Sequence, residues 1–359
     1  MKIEKLQLQN WRNHGKLKFE FNGITLLVGP NASGKTNFLE AIYYLATGKS
    51  FRAKDESLLG WGETFTRVEA DIEKETKPEN LLLVLEDQGR VTKTVKIKEQ
   101  KVAASKLLGH LRAVLFTPEE IELLSTLPEA RRRYLNMIIS QSNSKYIYSL
   151  VHFRRTLEQR NSLLKRILNG EAKEEELEVW DGRFAEYAEQ LIVGRASYVV
   201  EINKTIAEHY QRLSGTKQKL ELSYLPSIDA TEGWAGIVTR LTQSRARDIM
   251  ARVTTIGPHR DDISFVLDDR NLLTFASRGE LRTVILALKL AEVDYLEAIT
   301  GERPVLLLDD VFSELDEKRR DLLSQVFVEQ QTIITTTDLD HVSKNILEKA
   351  SVIELKHAK

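Results

Sequence analysis

Residues Gly29 to Thr36 read GPNASGKT, matching the spacing G-x-x-x-x-G-K-[ST]. Such a loop can do one kind of chemistry well. Its successive backbone N–H groups, followed by a helix N-terminus, hold anionic oxygens. Gly29, Pro30, Asn31, Ala32, Ser33 and Gly34 would form the cradle. Lys35 would reach the β and γ phosphates of ATP, and the Thr36 hydroxyl would ligate Mg²⁺. A bland alternative is a glycine-rich turn capping a helix. Chance matches arise in roughly one chain in a hundred of this length, and the flanking strand and helix patterns cut that further. Hydrolysis also needs an acid at the end of a neighbouring strand, and Val305 to Asp310, VLLLDD, supplies two. Asp309 is placed to hold Mg²⁺ through water, and Asp310 to act as general base on the attacking water. Read alone, Asp-Asp is only a polar end to a core strand; beside the loop it is more.

The elements that must position these groups can be read from periodicity. Lys2 to Gln9 and Leu17 to Phe21 alternate like strands, and Ile24 to Val28 is a continuous apolar run suited to a buried central strand. After Gly34 the period becomes helical, with Phe38, Ile42 and Leu45, and ends at Gly48. Leu81 to Leu85 and Val91 to Ile97 flank an Asp87-Gln88-Gly89 turn. From about Pro118 to His209 the pattern is helical, with a polar link at Asn169 to Glu171 that predicts an antiparallel helical pair. Strands return at Ile263 to Leu267, Val305 to Leu308 and Thr332 to Thr335, after a loop-rich stretch around Pro226 to Gly236. The expected architecture is α/β, a head in two halves (1–120 and 251–359) interrupted by a mainly helical lobe (121–250).

Composition narrows the setting. The 359 residues hold 42% hydrophobic and 29% charged side chains, enough for a full core under a charged surface. No apolar run approaches a membrane span, so no membrane partner is expected. The absence of cysteine excludes disulfides and thiolate metal sites, and with the strand-like N-terminus it favours a cytoplasmic protein. The net charge of -1 hides a local imbalance. Arg131, Arg132, Arg133, Arg154 and Arg155 belong to a stretch in which Glu158 is the only acid, followed by the acidic run EAKEEELE. These arginines suit DNA-backbone contact, but a basic helical face is more often plain solvated surface.

Two further strings carry open readings. Ser277-Arg278-Gly279-Glu280 opens an apolar helix. Ser277 and Glu280 have capping-box spacing, yet a capped helix start still presents N–H groups to an anion. His259-Arg260-Asp261-Asp262 could suggest a metal site, but no partner ligand is visible nearby, and a structural turn is the simpler reading.

Taken in order, LQLQNWRNH, the phosphate loop, GKSFR, LFTPEEIELLSTLPEARRRYLN, RTLEQRNSLLK, TIGPHRDDISF, ASRGELRTVILALKLAE and LLLDDVFSELD span nearly the whole chain. In them the chain resembles the RecF family of recombination-repair ATPases, related to the ABC and structural-maintenance-of-chromosomes ATPases. That resemblance implies a P-loop NTPase head of ABC type with a helical insertion lobe. It implies that Ser277 and Gly279 contact the γ-phosphate of ATP bound to a second subunit, and that Ser313 to Asp316 form a loop at the dimer seam. Arg12 and Asn13 match positions near the nucleotide. An ATP-dependent homodimer, slow hydrolysis, single-stranded and gapped DNA, and a RecR-type mediator are the implied partners and behaviour. Where the family usually carries Ser-Gln-Gly-Gln, this chain has Ser-Arg-Gly-Glu, which puts a negative charge near the expected phosphate contact. The Thr335-Thr336-Thr337-Asp338 string stands where many ABC ATPases have histidine and would leave Asp338 to orient water. A chromosome-organising head is the rival reading, disfavoured by a helical insertion under 100 residues without sustained heptads. A transporter subunit is disfavoured by the missing histidine and the basic helical stretch.

Overall fold

The alternating N-terminal residues make a hairpin. β1 (Lys2–Trp11) and β2 (His14–Glu20) pair antiparallel, with Trp11 opposite His14. Ile3, Leu6, Leu8 and Trp11 are buried, so one face of β1 looks inward while its lysines look out. The computed structural model describes residues 1–122, 127–315, 319–320, 323, 327 and 329–355. β4 (Phe65–Glu73), β5 (Glu79–Asp87), β6 (Val91–Ile97) and β7 (Gln100–Val102) extend the hairpin into an antiparallel sheet of order β2-β1-β4-β5-β6-β7. The expected turn at Asp87 to Gly89 is present, with the Gly89 amide donating to Asp87 at 3.0 Å.

A second sheet is wholly parallel, in the order β14-β3-β13-β12-β8. Its strands are β3 (Ile24–Val28), β8 (Ala113–Phe116), β12 (Val305–Asp309), β13 (Thr332–Thr336) and β14 (Ala350–Glu354). β12 and β13 are buried along their whole length, as expected of continuous apolar runs covered on both faces. Helix α1 (Lys35–Thr47) contacts strands of both sheets and closes on Gly48, whose amide reaches Tyr44 O at 2.7 Å in a left-handed cap. β8 and β14 escape the sequence reading, because four or five residues at a sheet edge carry too short a period to be told from loop.

By contact the chain forms two compact units: residues 1–121, 209–216 and 282–359, and residues 122–208 with 217–281. The first holds both sheets. The second holds helices α2 (Pro128–Ser140), α3 (Ser144–Leu168), α4 (Leu177–Ile202) and, beyond the short α5 (Ile206–Ser214), α6 (Gly233–Ala251). The helical pair is α3 and α4. Residues 251–281, read from sequence with the head, group with this second unit. The reason is that β10 (Asp262–Leu267) pairs antiparallel with β9 (Leu220–Leu225) and with β11 (Arg270–Asn271), in a separate three-stranded sheet. Helix α7 (Arg278–Thr300) crosses from one set of residues to the other. The second unit is also stitched by buried charge. Arg160, fully buried on α3, donates to Asp181 of α4 and Asp248 of α6, both at 2.8 Å. An arginine so placed is a structural anchor, since any unpaired ion there would cost several kcal/mol.

Candidate nucleotide site

β3 ends at Val28 and α1 begins at Lys35, so residues 29–34 must turn the chain between sheet and helix. Ala32 (φ 65°) and Gly34 (φ 97°) are left-handed, which aims successive N–H groups into a shared concavity. Gly34 is obligatory on two counts. Its φ is costly for other residues, and a Cβ would sit 2.6 Å from His14 Cε1 and 2.7 Å from Asn13 Nδ2. Lys35 folds back over the loop, donating to the Gly29 and Pro30 carbonyls at 2.6 and 3.0 Å. Burial lowers the pKa of its ammonium, with the charges of Asp310 and Asp309 working against that shift. Ser33 Oγ is buried without a hydrogen-bond partner among the described residues.

Parallel pairing of β12 with β13, itself beside β3, carries the two aspartates to the same sheet end as the loop. Thr36 Oγ1 donates to Asp309 Oδ1 at 2.9 Å, joining positions 273 residues apart. Thr335 Oγ1 donates to the same oxygen at 2.6 Å. Burial pushes the Asp309 carboxyl above its usual range, and the Thr335 and Thr36 hydrogen bonds oppose the shift. The Asp310 amide donates to Thr335 Oγ1 at 3.0 Å, and its φ of 49° swings this residue out of the strand line. Thr335, rather than Asp338, is therefore the neighbour of the acid pair. Asp338 is exposed and caps the following turn, accepting from the Asp340 amide at 2.9 Å.

The β1–β2 turn brings Arg12 and Asn13 alongside. Asn13 Oδ1 accepts from Asn37 Nδ2 of α1 at 2.6 Å, and His14 Nε2 contacts Gly34 O at 3.0 Å. Two members of this neighbourhood escape sequence reading as site residues. Glu40 lies a turn past Thr36 and binds Arg12 by two hydrogen bonds of 2.9 and 2.8 Å. Arg52, in the string GKSFR, donates to Glu40 at 3.2 Å. The available signal was a glutamate set in the buried stretch Phe38 to Ile42 of an otherwise apolar helix.

Ser277 and Gly279 belong to the second unit. Their capping box is formed: the Ser277 amide and hydroxyl both donate to Glu280 Oε2 at 2.8 Å, and the Glu280 amide returns to Ser277 Oγ at 3.3 Å. These bonds hold Glu280's carboxyl below the usual range. Ser277, Arg278 and Gly279 are exposed. A Cβ on Gly279 would meet nothing within 4 Å, so this chain's own packing does not demand glycine there. Of Ser313 to Asp316, Asp316 lies outside the described residues.

The arginines separate into two classes. Arg131 is buried and grips Asp262 with two bonds of 2.7 Å; Arg132 donates to Asp261 O at 2.9 Å. Both guanidinium groups thus help hold α2 to the start of β10 and the turn before it, a local role besides any contact with DNA. Arg133, Arg154 and Arg155 are exposed. The His259 to Asp262 string is that turn. His259 Nε2 contacts Thr254 O at 2.8 Å beneath Phe153 and Phe184, and Asp261 pairs with the buried Arg195 at 3.0 Å. Burial pushes the His259 pKa down to about 4, against an opposing hydrogen bond to Thr254 O. The unfolded chain therefore binds a proton first, at about pH 6.5. This histidine's contribution to stability is full above that pH and is lost as pH falls toward 4. Urea unfolding should show a drop of about 1–2 kcal/mol between pH 7 and 5, largely absent in His259→Gln. An equal drop in the variant would assign the effect elsewhere.

The family model described as RecF/RecN/SMC N terminal domain matches residues 2–358. The chain is 37% identical over 363 residues to a DNA replication and repair protein RecF of Lactobacillus delbrueckii subsp. bulgaricus, covering 98% of this chain and 95% of that one. It is 34% identical to the RecF of Halalkalibacterium halodurans, with 99% and 98% covered. Among solved structures it resembles "Structure of the recombination mediator protein RecF-ATPrS in RecFOR pathway", with a TM-score of 0.90 and 32% identity over 99% of this chain and 96% of that one. An Smc head bound to the winged-helix domain of ScpA reaches a TM-score of 0.56 at 16% identity, a likeness of fold alone. The architecture is that of a P-loop NTPase head of ABC type carrying a helical lobe. The chain belongs to the RecF family of DNA replication and repair proteins.

Proposed function

We propose that this chain binds ATP with Mg²⁺, closes into a homodimer around two nucleotides, and uses slow, DNA-dependent hydrolysis to reopen it. The observation that carries the reading is the 2.9 Å bond between Thr36 and Asp309. It sets a hydroxyl and a carboxylate, both hard oxygen donors of the kind Mg²⁺ prefers, beside a lysine-bearing phosphate loop. In this reading residues 29–36 cradle the phosphates, Lys35 meets the β and γ groups, and Thr36 with Asp309 holds the ion, which would neutralise developing charge. Asp310 takes the proton of the attacking water. Arg12 and Asn13 line the nucleotide side of the loop. Ser277 and Gly279 of one subunit close over the ATP of the other; their exposure and the open space at Gly279 support that role. Glu280 is turned back onto Ser277 by its capping bonds, which keeps its charge from standing free before a phosphate.

Work on DNA follows from family membership and from the exposed Arg133, Arg154 and Arg155. The protein would act in the cytoplasm at single-stranded and gapped DNA, with a RecR-type mediator, supporting recombinase loading in recombinational repair and the SOS response. The test is gapped-DNA affinity with and without ATP. Reversing Arg154 and Arg155 to Glu should weaken DNA binding about tenfold or more at moderate salt and flatten its salt dependence, with ATP affinity unchanged. Unaltered DNA binding would move the contact surface elsewhere. Arg131→Glu, by contrast, should destabilise the second unit by about 3–5 kcal/mol, so its DNA defect would report folding.

A further inference from the structure

Glu40 is a fully buried carboxylate on α1, and its side chain is hydrogen-bonded to residues outside that helix. It accepts two bonds from Arg12 on the β1–β2 turn, one from Ser50 Oγ at 2.5 Å and one from Arg52 at 3.2 Å, the last two on the loop after α1. Burial alone would push its carboxyl up, but the bonds from Arg12, Arg52 and Ser50 hold it below the usual range. Arg52 also donates to Asn37, which donates in turn to Asn13 beside Gly34. One connected network therefore runs from Glu40 to the flank of the phosphate loop.

The outer ends of this network are not closed over. The Arg12 and Arg52 side chains keep 20% and 38% of their surface exposed. They face a cleft of about 810 Å³, a size within the ~300–1,000 Å³ of small-molecule sites. Its wall includes Arg12, Asn13, Asn37, Arg52, Lys54 and the fully exposed Trp61, and among the described residues contains no carboxylate. A three-cation wall with the balancing acid buried behind it is built to receive an anion.

We infer that Glu40 is a positioning residue: it presents Arg12 and Arg52 as a fixed pair of cations to the nucleotide in the cleft beside the phosphate loop. This rests on the ATP site proposed above. Two effects compete when Glu40 loses its charge. The cleft gains net positive charge, which favours an anion, but that gain is screened at a solvent-open mouth. Both arginines lose their anchor and must be ordered anew on binding, and arginine is rich in rotamers. Loss of positioning is the larger effect.

The test compares the ATP dissociation constants of wild type, Glu40→Gln, the double variant Arg12→Gln/Arg52→Gln, and the triple variant. Melting curves check that each is folded. Glu40→Gln and the double variant should each bind ATP about tenfold more weakly, and the triple variant should match the double within about twofold. That non-additivity is what a merely structural glutamate would not produce. Wild-type affinity in folded Glu40→Gln, or a triple variant weaker than the double by the full Glu40→Gln factor, overturns the inference. Should Glu40→Gln fail to fold, Glu40→Asp, which keeps the charge but shortens its reach, takes its place in the cycle: it should weaken ATP binding in the wild-type background and not in the double variant, and equal weakening in both overturns the inference. A wild type that binds no ATP, or that binds it no better than Lys35→Met, would instead sink the nucleotide-site reading beneath it.

Discussion

Lys35→Met protein folds, but it binds ATP about 100-fold more weakly than wild type and gives no ATP-dependent dimer. The size of the effect follows from what the ammonium does in each state. Without nucleotide it donates to two loop carbonyls, Gly29 and Pro30. Losing two such bonds at a partly open site costs about 1–2 kcal/mol of stability, which a domain of this size tolerates. With nucleotide it would meet two phosphate groups through charge-assisted bonds worth about 1.5–3 kcal/mol each; set against the loop bonds lost in the free state, the net is about 3 kcal/mol, or about 100-fold in affinity. Methionine keeps the length and apolar stem, so the loop retains its packing. Calorimetry with ATP checks affinity, and melting curves check the fold. ATP affinity within threefold of wild type would remove Lys35 from the site.

Asp310→Asn is expected to separate binding from turnover. Asparagine tolerates the left-handed backbone that Asp310 adopts at φ 49°, so the strand end keeps its path. The Asp310 amide bond to Thr335 involves only main chain on the Asp310 side and survives the change. What is lost is the ability to take a proton. Removal of a general base typically costs a factor of about 10²–10⁴, so hydrolysis should fall at least 100-fold while ATP affinity moves less than about threefold. Dimers formed with ATP should then persist. Single-turnover hydrolysis and dimer lifetime measured on the same sample check both halves. Normal turnover in this variant would place the base elsewhere.

How far this site could be read from sequence depended on whether each residue's role was local. GPNASGKT encodes its own geometry, because the left-handed Ala32 and Gly34 and the helix start all fall within eight consecutive residues. The apolar strand ending in Asp309 likewise announced its carboxylates. Thr335 did not, because its contact with Asp309 depends on parallel pairing of β12 with β13, a relation that no local pattern records. Glu40 was hidden in the same way, being an unremarkable acid until the β1–β2 turn folds over it. Arg131 looked like Arg133 in sequence, and only the distant Asp262 distinguishes them. β10 was legible as a strand but not as a member of a different sheet, since apolar alternation specifies a face and not a neighbour.

Mass in solution tests the central claim most directly. Wild-type protein, measured by light scattering with saturating ATP and Mg²⁺, is expected to double its mass from that of the 41.1 kDa chain, and to return to it without nucleotide. Lys35→Met should remain at the single-chain mass in both conditions. A wild type that binds ATP yet stays monomeric throughout would contradict the two-nucleotide dimer.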